Sequence, residues 1–314
     1  MNFGSRRYFC IGLGEVLWDL LPGGRQLGGA PANFAYHAHA LGAESLVVSR
    51  VGRDDLGRDL VEHLNALGLV TSGISVDPAA PTGTVSVTLD PTGQPTYTIH
   101  TDVAWDFLEA GPEVLRAAAG ADAVCFGTLA QRHPVARDSI RRVLQATRPE
   151  ALRIFDINLR QRFWSREVIV ESLALANVLK LNDEELPILM DLLGWPCEDD
   201  QGLMARLAQR FDLRAVALTR GARGSLLWTA DRSWNWPGSD LKVADTVGAG
   251  DSYTAALALG LLSGKSPEDI LRIAHRVADF VCTQPGATPP MPADFAAEFV
   301  GTRRTEGDPS GNRS

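Results

Sequence analysis

The sequence predicts an α/β fold, a mostly parallel sheet covered by helices on both faces, with a small second sheet projecting from it. Two observations carry this. Beyond residue 110, short β-rich runs alternate regularly with helical stretches, the pattern of strands joined by crossover helices. Between residues 84 and 89, Val85, Val87 and Leu89 alternate with Ser86 and Thr88. That period-two pattern gives a strand one wet or ligand-facing side, which does not suit the centre of a sheet buried on both faces.

Taken in order, residues 8–13 read as a strand ending at Gly14, and 15–21 as a second run turned back by Pro22-Gly23-Gly24 into a hairpin. Residues 31–41 are alanine-rich and helical, with Gly42 as the stop. A strand follows at 46–51. Residues 54–67 form a helix, because Leu56, Leu60, Leu64 and Leu67 recur at helical spacing before Gly68. The alternating run at 84–89 turns at Pro91-Thr92-Gly93 into a strand at 96–100, and with residues 15–28 makes the projecting sheet. The regular portion has strands at 121–126, 152–157, 178–181 and 215–218, with helices such as 135–146 and 203–211. Apolar helices are expected at 252–262 and 270–282. No internal repeat is visible. The whole is expected to be one body over residues 1–300, with a lid inserted from about 15–30 and 83–105, and a loose polar tail at 301–314.

Composition narrows the class. Of 314 residues, 45% are apolar and 22% charged, which excludes disordered, collagenous and disulfide-stapled chains. The net charge of −8 argues against nucleic acid or an anionic membrane as partner. Cys10, Cys125, Cys197 and Cys282 form no CxxC pair and read as free thiols. With no long apolar stretch or signal-peptide pattern, the protein is expected in the cytoplasm.

The strongest chemical signal is Asp245-Thr246-Val247-Gly248-Ala249-Gly250-Asp251, directly before the 252–262 helix. Small residues at a helix start let backbone N–H groups converge on an anion, and the helix dipole adds partial positive charge. Asp251 beside that hole suits a general base for a hydroxyl attacking phosphorus, or, more plainly, a helix cap.

This stretch resembles the C-terminal signature of the ribokinase-like, or PfkB, carbohydrate kinases, DTxGAGDxF, with Tyr253 in place of the usual Phe. The N-terminal signature is resembled by Gly28-Gly29-Ala30-Pro31-Ala32-Asn33, Leu41-Gly42, and Gly52-Arg53-Asp54-Asp55-Leu56-Gly57. Together they span nearly the whole chain, and the texture is nearest to bacterial fructokinases. The resemblance implies a three-layer α/β/α body with a β-sheet lid, and ATP-dependent phosphorylation of a sugar hydroxyl. It makes Asp251 the base and gives the transferring phosphoryl group to the amides of Gly248, Ala249 and Gly250.

Other assignments follow from the same resemblance. Asn182 and Glu185 match an NxxE motif that organises Mg²⁺ through water; the plain alternative is a helix start decorated with acids. Arg160, in Asp156-Ile157-Asn158-Leu159-Arg160, would neutralise moving phosphate charge, or simply pair with Asp156. Thr219, Gly221 and Gly224 resemble a nucleotide loop, with a hairpin turn as competitor, and Gly286 and Ala287 the adenine-side loop. Asp245 stands where relatives hold a monovalent cation such as K⁺. On the sugar side the resemblance places Asp19, Gly28, Gly29 and Asn33. Asn33 could equally be a helix cap. The lid's exposed edge and apolar face suggest a homodimer paired through it.

Several patterns are decoys. Residues 260–266 put three residues between glycines where a P-loop needs four, and Gly264 reads as a helix stop. Gly12-Leu13-Gly14 lacks the third glycine of a dinucleotide fingerprint. His37 and His39 point to different helix faces. Trp234 and Trp236 read as packing. The leading expectation is a fructose kinase. Alternatives are a 2-keto-3-deoxygluconate kinase, needing a cation such as Arg25 for the carboxylate, a nucleoside kinase using Trp18 and Trp105, or a non-catalytic sugar sensor.

Overall fold

The computed structural model describes residues 7–21, 23–89, 95–196 and 199–299. The turn at 90–94, Pro22, Cys197 and the expected tail lie outside them. Strand β1 (Phe9–Leu13) leads into a hairpin of β2 (Leu17–Leu21) and β3 (Gly24–Gly28). Next come α1 (Ala30–Ala40), β4 (Glu44–Gly52), α2 (Asp55–Ala66) and β5 (Ile74–Asp77). A second hairpin, β6 (Thr84–Leu89) and β7 (Pro95–Ile99), precedes the alternating portion. That portion runs α3 (Pro112–Gly120), β8 (Ala123–Phe126), α4 (Pro134–Ala146), β9 (Leu152–Asp156), α5 (Arg166–Leu175) and β10 (Val178–Asn182). It continues with α6 (Glu185–Leu193), α7 (Asp200–Phe211), β11 (Ala215–Thr219), β12 (Ser225–Thr229) and β13 (Arg232–Trp236). Helices α8 (Ala249–Leu262), α9 (Pro267–Cys282) and α10 (Ala293–Ala297) close the described chain.

The main sheet has nine strands in the order β13-β12-β11-β10-β9-β8-β1-β4-β5. Pairing is parallel from β5 to β11 and antiparallel only for β12 and β13. Alternate residues of each strand feed different cores. Ile11, Leu13, Phe126 and Phe155 pack with α3 to α7, while Cys10, Cys125 and Ile154 pack with α1, α8 and α9. Helices on both faces follow from central strands such as β1, β8 and β11, which place apolar residues on both faces of the sheet.

Helix α8 is apolar all round because it lies between α1 and α9, and residues 252–260 are buried. Helix α9 begins as the sequence predicts: Ser266 accepts the N–H of Asp269, Pro267 follows it, and Gly264 has φ +65°.

The second sheet has the order β3-β2-β6-β7. Asp19 is registered against Val85, and Val85 against Ile99, so these three form one row across it. The row faces the cavity described below, making the apolar side of β6 the inner one; Ser86, on the other side, bonds His100. The sheet ends at Ile99, and Val103 to Trp105 already belong to the core of the main body. Strand β5, at the sheet edge, has no counterpart in the sequence reading. Cys10 and Cys125 are buried free thiols. Among the described residues no helix is long and apolar enough to cross a membrane.

Candidate active site

A cavity of about 630 Å³ opens where the carboxyl ends of β9, β10 and β11 meet the start of α8, beneath the second sheet. Parallel α/β sheets place ligands there because helix N-termini and strand-end loops converge at that edge.

Asp251 lines this cavity in the first turn of α8. It does not cap the helix: the capping position is Gly248, which makes no side-chain cap bond, and the Ala249 N–H bonds the Thr246 carbonyl at 3.3 Å. Instead Asp251 Oδ2 accepts a hydrogen bond from Asn33 Nδ2 at 2.8 Å, joining α1 to α8. The carboxyl is pushed up to about 6, chiefly by burial and then by the nearby Asp156 charge, with Asn33, Lys180 and Arg160 pulling the other way.

The Gly-Ala-Gly turn is held from behind. Gly248 has φ +80°, and a side chain there would run into the carbonyl of Ala287. That carbonyl accepts from His37 Nε2 at 2.9 Å. Burial holds His37 down to about 4, so the ring is neutral and carries its proton on Nε2. Asp245 ties the same two loops together, accepting the Val247 N–H at 3.0 Å and the Gly286 N–H at 3.1 Å.

Lys180, in the otherwise apolar strand β10, was not recognised from the sequence. Its Nζ is 3.1 Å from Asp156 Oδ1, and both side chains are less than a tenth exposed. The Thr254 hydroxyl lies 3.1 Å from the other Asp156 oxygen. A Cβ on Gly250 would lie 3.0 Å from Lys180 Nζ, so the ammonium sits directly against the amide turn. Burial opposes its charge, but Asp156, Glu185 and Asp251 raise its pKa, so it stays charged. A lone charge inside a buried strand was the available signal. Because Asp156 is committed to Lys180, the plain pairing of Arg160 with Asp156 does not form. The Arg160 guanidinium instead lowers the pKa of Glu15, Asp19 and Asp251.

On the sheet side, Asp19 lines the cavity and is pushed up to about 6 by burial, against Arg160. A Cβ on Gly28 would sit 2.5 Å from its Oδ2, so glycine leaves that carboxylate room. Gly29, with φ +107°, lies against the carbonyl of Glu15. Asn33 also lines the cavity and is a partner of Asp251 rather than a cap. Glu15, a second residue the sequence reading passed over, is 2% exposed, and its Oε2 has no hydrogen-bond partner. Burial lifts it to about 7.

At the far end, Asn182, Thr219, Gly221 and Gly224 line the cavity beside Val243, Val247 and Ala278. Glu185, Asp245, Gly286 and Ala287 are not among its lining residues, the last three standing behind the turn. Asn182 Oδ1 accepts the N–H groups of Glu184 and Glu185, as in the helix-start alternative.

The family profile of the pfkB carbohydrate kinases matches residues 23–294. The chain belongs to that family. A fructokinase of Klebsiella pneumoniae is 31% identical to this kinase over 278 residues, covering 85% of this chain and 88% of the relative. A sugar kinase of Pyrococcus horikoshii is 30% identical over 262 residues, covering 78% and 76%. The structure of that archaeal kinase superposes with a TM-score of 0.77 at 27% identity, over 93% of this chain and 99% of the other, and it has also been solved in complex with ATP. The kinase therefore has the ribokinase-like fold, with the mostly parallel main sheet and smaller second sheet that its sequence predicts.

Proposed function

We propose that this sugar kinase transfers the γ-phosphoryl group of ATP to a hydroxymethyl group of fructose or a closely similar ketose. The observation that carries the proposal is Asp251, held by Asn33 at the start of α8, with Asp19 in the same cavity. The sugar would lie between Asp19, Gly28, Gly29 and Asn33, and the nucleotide along Asn182, Thr219, Gly221 and Gly224, with Gly286 and Ala287 shaping the adenine side. The sugar oxygen forms the new bond to phosphorus, the bond to the β-phosphate oxygen breaks, and the hydroxyl proton passes to Asp251. ADP leaves with the electron pair. The amides of Gly248, Ala249 and Gly250 receive the charge of the moving group, and Arg160 and Lys180 neutralise it. Phosphoryl transfer asks for positioning and charge stabilisation more than covalent help, and these groups supply both.

The metal assignments meet a difficulty of donor chemistry. Both oxygens of Glu185 accept backbone N–H groups, as do both oxygens of Asp245 and the side-chain oxygen of Asn182. Each carboxylate oxygen keeps a second lone pair that a metal-bound water would use, but none of these oxygens is free of the backbone. Mg²⁺ is assigned here to the nucleotide's own phosphates, with which it enters.

Fructose is supported by the K. pneumoniae relative and by the charge of the cavity. A sugar acid needs a free cation, but Arg25 is engaged with Asp59 at 2.5 Å and stacks on Trp18, and the lining cations, Arg160 and Lys180, are grouped about Asp251. Trp18 and Trp105 do not line the cavity, which removes the aromatic platform a nucleoside kinase would use. The reading takes residues 1–300 as one domain with a lid expected from about 15–30 and 83–105, its second segment cut back to Ile99, where the small sheet stops. It extends to a cytoplasmic setting, where ATP is abundant, and to a homodimer through the lid's free edges, β3 and β7. Phosphate transfer measured across ketoses, sugar acids and nucleosides tests it, with fructose expected to lead. Tight sugar binding without transfer to any of them would mean a sensor.

A further inference from the structure

The carboxylate of Glu185 is buried, 5% exposed, and both of its oxygens are used inside the protein. Oε1 accepts the N–H of Leu159 at 2.9 Å, and Oε2 accepts the N–H of Asn182 at 2.8 Å. Leu159 immediately precedes Arg160. Glu185 therefore reaches across from the start of α6 to the loop that leaves β9.

That loop needs holding. Asn158 has φ +41° and Gln161 has φ +48°, so non-glycine residues in the left-handed region stand on either side of Leu159 and Arg160. The left-handed region is unfavourable for Gln161, while Asn158 is of a type that tolerates it better. The Phe163 N–H bonds the Arg160 carbonyl at 3.0 Å and Trp164 Nε1 bonds the Gln161 carbonyl at 3.0 Å, closing the loop on itself; side-chain bonds tie it to other elements. Thr128 Oγ1 donates to the Ile157 carbonyl at 2.9 Å, Gln161 Nε2 donates to the Tyr97 carbonyl of β7 at 2.8 Å, and Glu185 holds the amide between them. The Glu185 bond is the charge-assisted one, and hydrogen bonds to charged groups are the stronger kind. The Arg160 side chain is exposed and bonds its neighbour's carbonyl at 3.3 Å. Its position is set by the backbone.

We infer that Glu185 is a positioning residue: its carboxylate pins the Leu159 amide and so aims Arg160 at the transferring phosphoryl group, acting through the loop and not through a metal ion. This rests on the role of Arg160 in the proposed function. Among the loop's ties, Glu185 belongs to the body and Tyr97 to the lid, so the same guanidinium answers to both.

The test is a double-mutant cycle in kcat with Glu185→Gln, Arg160→Ala and the pair, combined with titration of free Mg²⁺ at fixed ATP and fructose. A carboxamide keeps one acceptor oxygen and cannot accept both amides. Glu185→Gln should lower kcat about 10–100-fold, the scale of an ångström-sized misplacement, with the Mg²⁺ half-saturation unchanged. The double variant should be no slower than Arg160→Ala. Additive losses together with a Mg²⁺ half-saturation raised tenfold or more would overturn the inference while leaving the proposed function intact. If Arg160→Ala is as fast as the parent, the role of Arg160 in the proposed function fails, and this inference with it. Should Glu185→Gln not fold, hydrogen exchange on the unaltered kinase decides. The Leu159 amide should be protected equally without ligand and with Mg²⁺ plus a non-hydrolysable ATP analogue. Loss of protection on adding them would mean that the carboxylate leaves the loop for the metal, and would sink the idea.

Discussion

At the scale of single residues, Asp251 owes its chemistry to its surroundings. Beside Asp156 and largely out of water, its carboxyl is raised to about 6, which makes it a better proton acceptor than an ordinary aspartate while leaving it ionised at neutral pH. The base must be ionised to act, so kcat/KM should be level above about pH 7 and fall tenfold per unit below about pH 6. A bound nucleotide adds negative charge, so the corresponding limb of kcat should lie at higher pH. Asp251→Asn should lower kcat by roughly 10²–10⁴-fold with ATP affinity retained, because a general base contributes on that scale. Steady-state rates from pH 5 to 9, with nucleotide binding measured separately, check both. A rate near the parent's in Asp251→Asn would remove Asp251 from the mechanism.

At the scale of elements, the start of α8 is a backbone device whose shape is set by packing on the loop at 286–287. Gly248 is its most constrained point, since φ is +80° and the Ala287 carbonyl occupies the space a side chain would need. Gly248→Ala should thus do two things at once. It should cost about 1–2 kcal/mol for the left-handed backbone alone, and tilt the amides away from the phosphoryl group. We expect a loss of kcat of about 10²-fold, larger than any change in the KM for fructose, because an amide turn of this kind acts on charge that develops in the transition state. Kinetics at saturating ATP, beside a thermal melt, separate the two effects. A variant that melts lower but turns over normally would show that the turn does not hold the moving phosphate.

At the scale of the whole molecule, what the sequence revealed and what it hid divide along a physical line. Strands with apolar residues on both faces, the period-two run through Val85 and Val87, and glycine stops such as Gly42, Gly68 and Gly264 are local patterns, and each element they mark is present. Strand β5 was missed because its four residues are mostly half-buried at a sheet edge and carry no periodicity. Lys180 was missed because its meaning depends on Asp156, 24 residues away, just as Asn33 finds Asp251 across 218. Most of the residues assigned by motif resemblance line the cavity, but the backbone amides that Glu185 accepts are partners that no motif displays.

The same gathering of distant charges has a consequence for stability. Asp251 is raised from 3.8 to about 6 and Glu15 from 4.5 to about 7, both chiefly by burial. A carboxyl whose folded pKa lies above its unfolded value adds stability fully only below the unfolded value, and that stability is lost as pH rises through the folded one. For Asp251 the window is about pH 4–6; above it the folded kinase carries an ionised carboxylate that the unfolded chain would hold more cheaply. At about 1.4 kcal/mol per pKa unit, and discounted because Asp251 is partly open to the cavity, the cost is about 1–2 kcal/mol. Asp251→Asn removes it. That variant, with its turnover lost, should melt about 1–3 °C higher than the parent at pH 8, with the difference shrinking towards zero near pH 4–5. Comparing the two proteins cancels the opposing contributions of carboxyls held low by their partners, such as Asp54 and Asp77, which are common to both. Melting curves without ligand across that range read it directly, and an Asp251→Asn protein less stable than the parent at pH 8 would mean that the ionised carboxylate is a net structural asset rather than a burden the fold carries for catalysis.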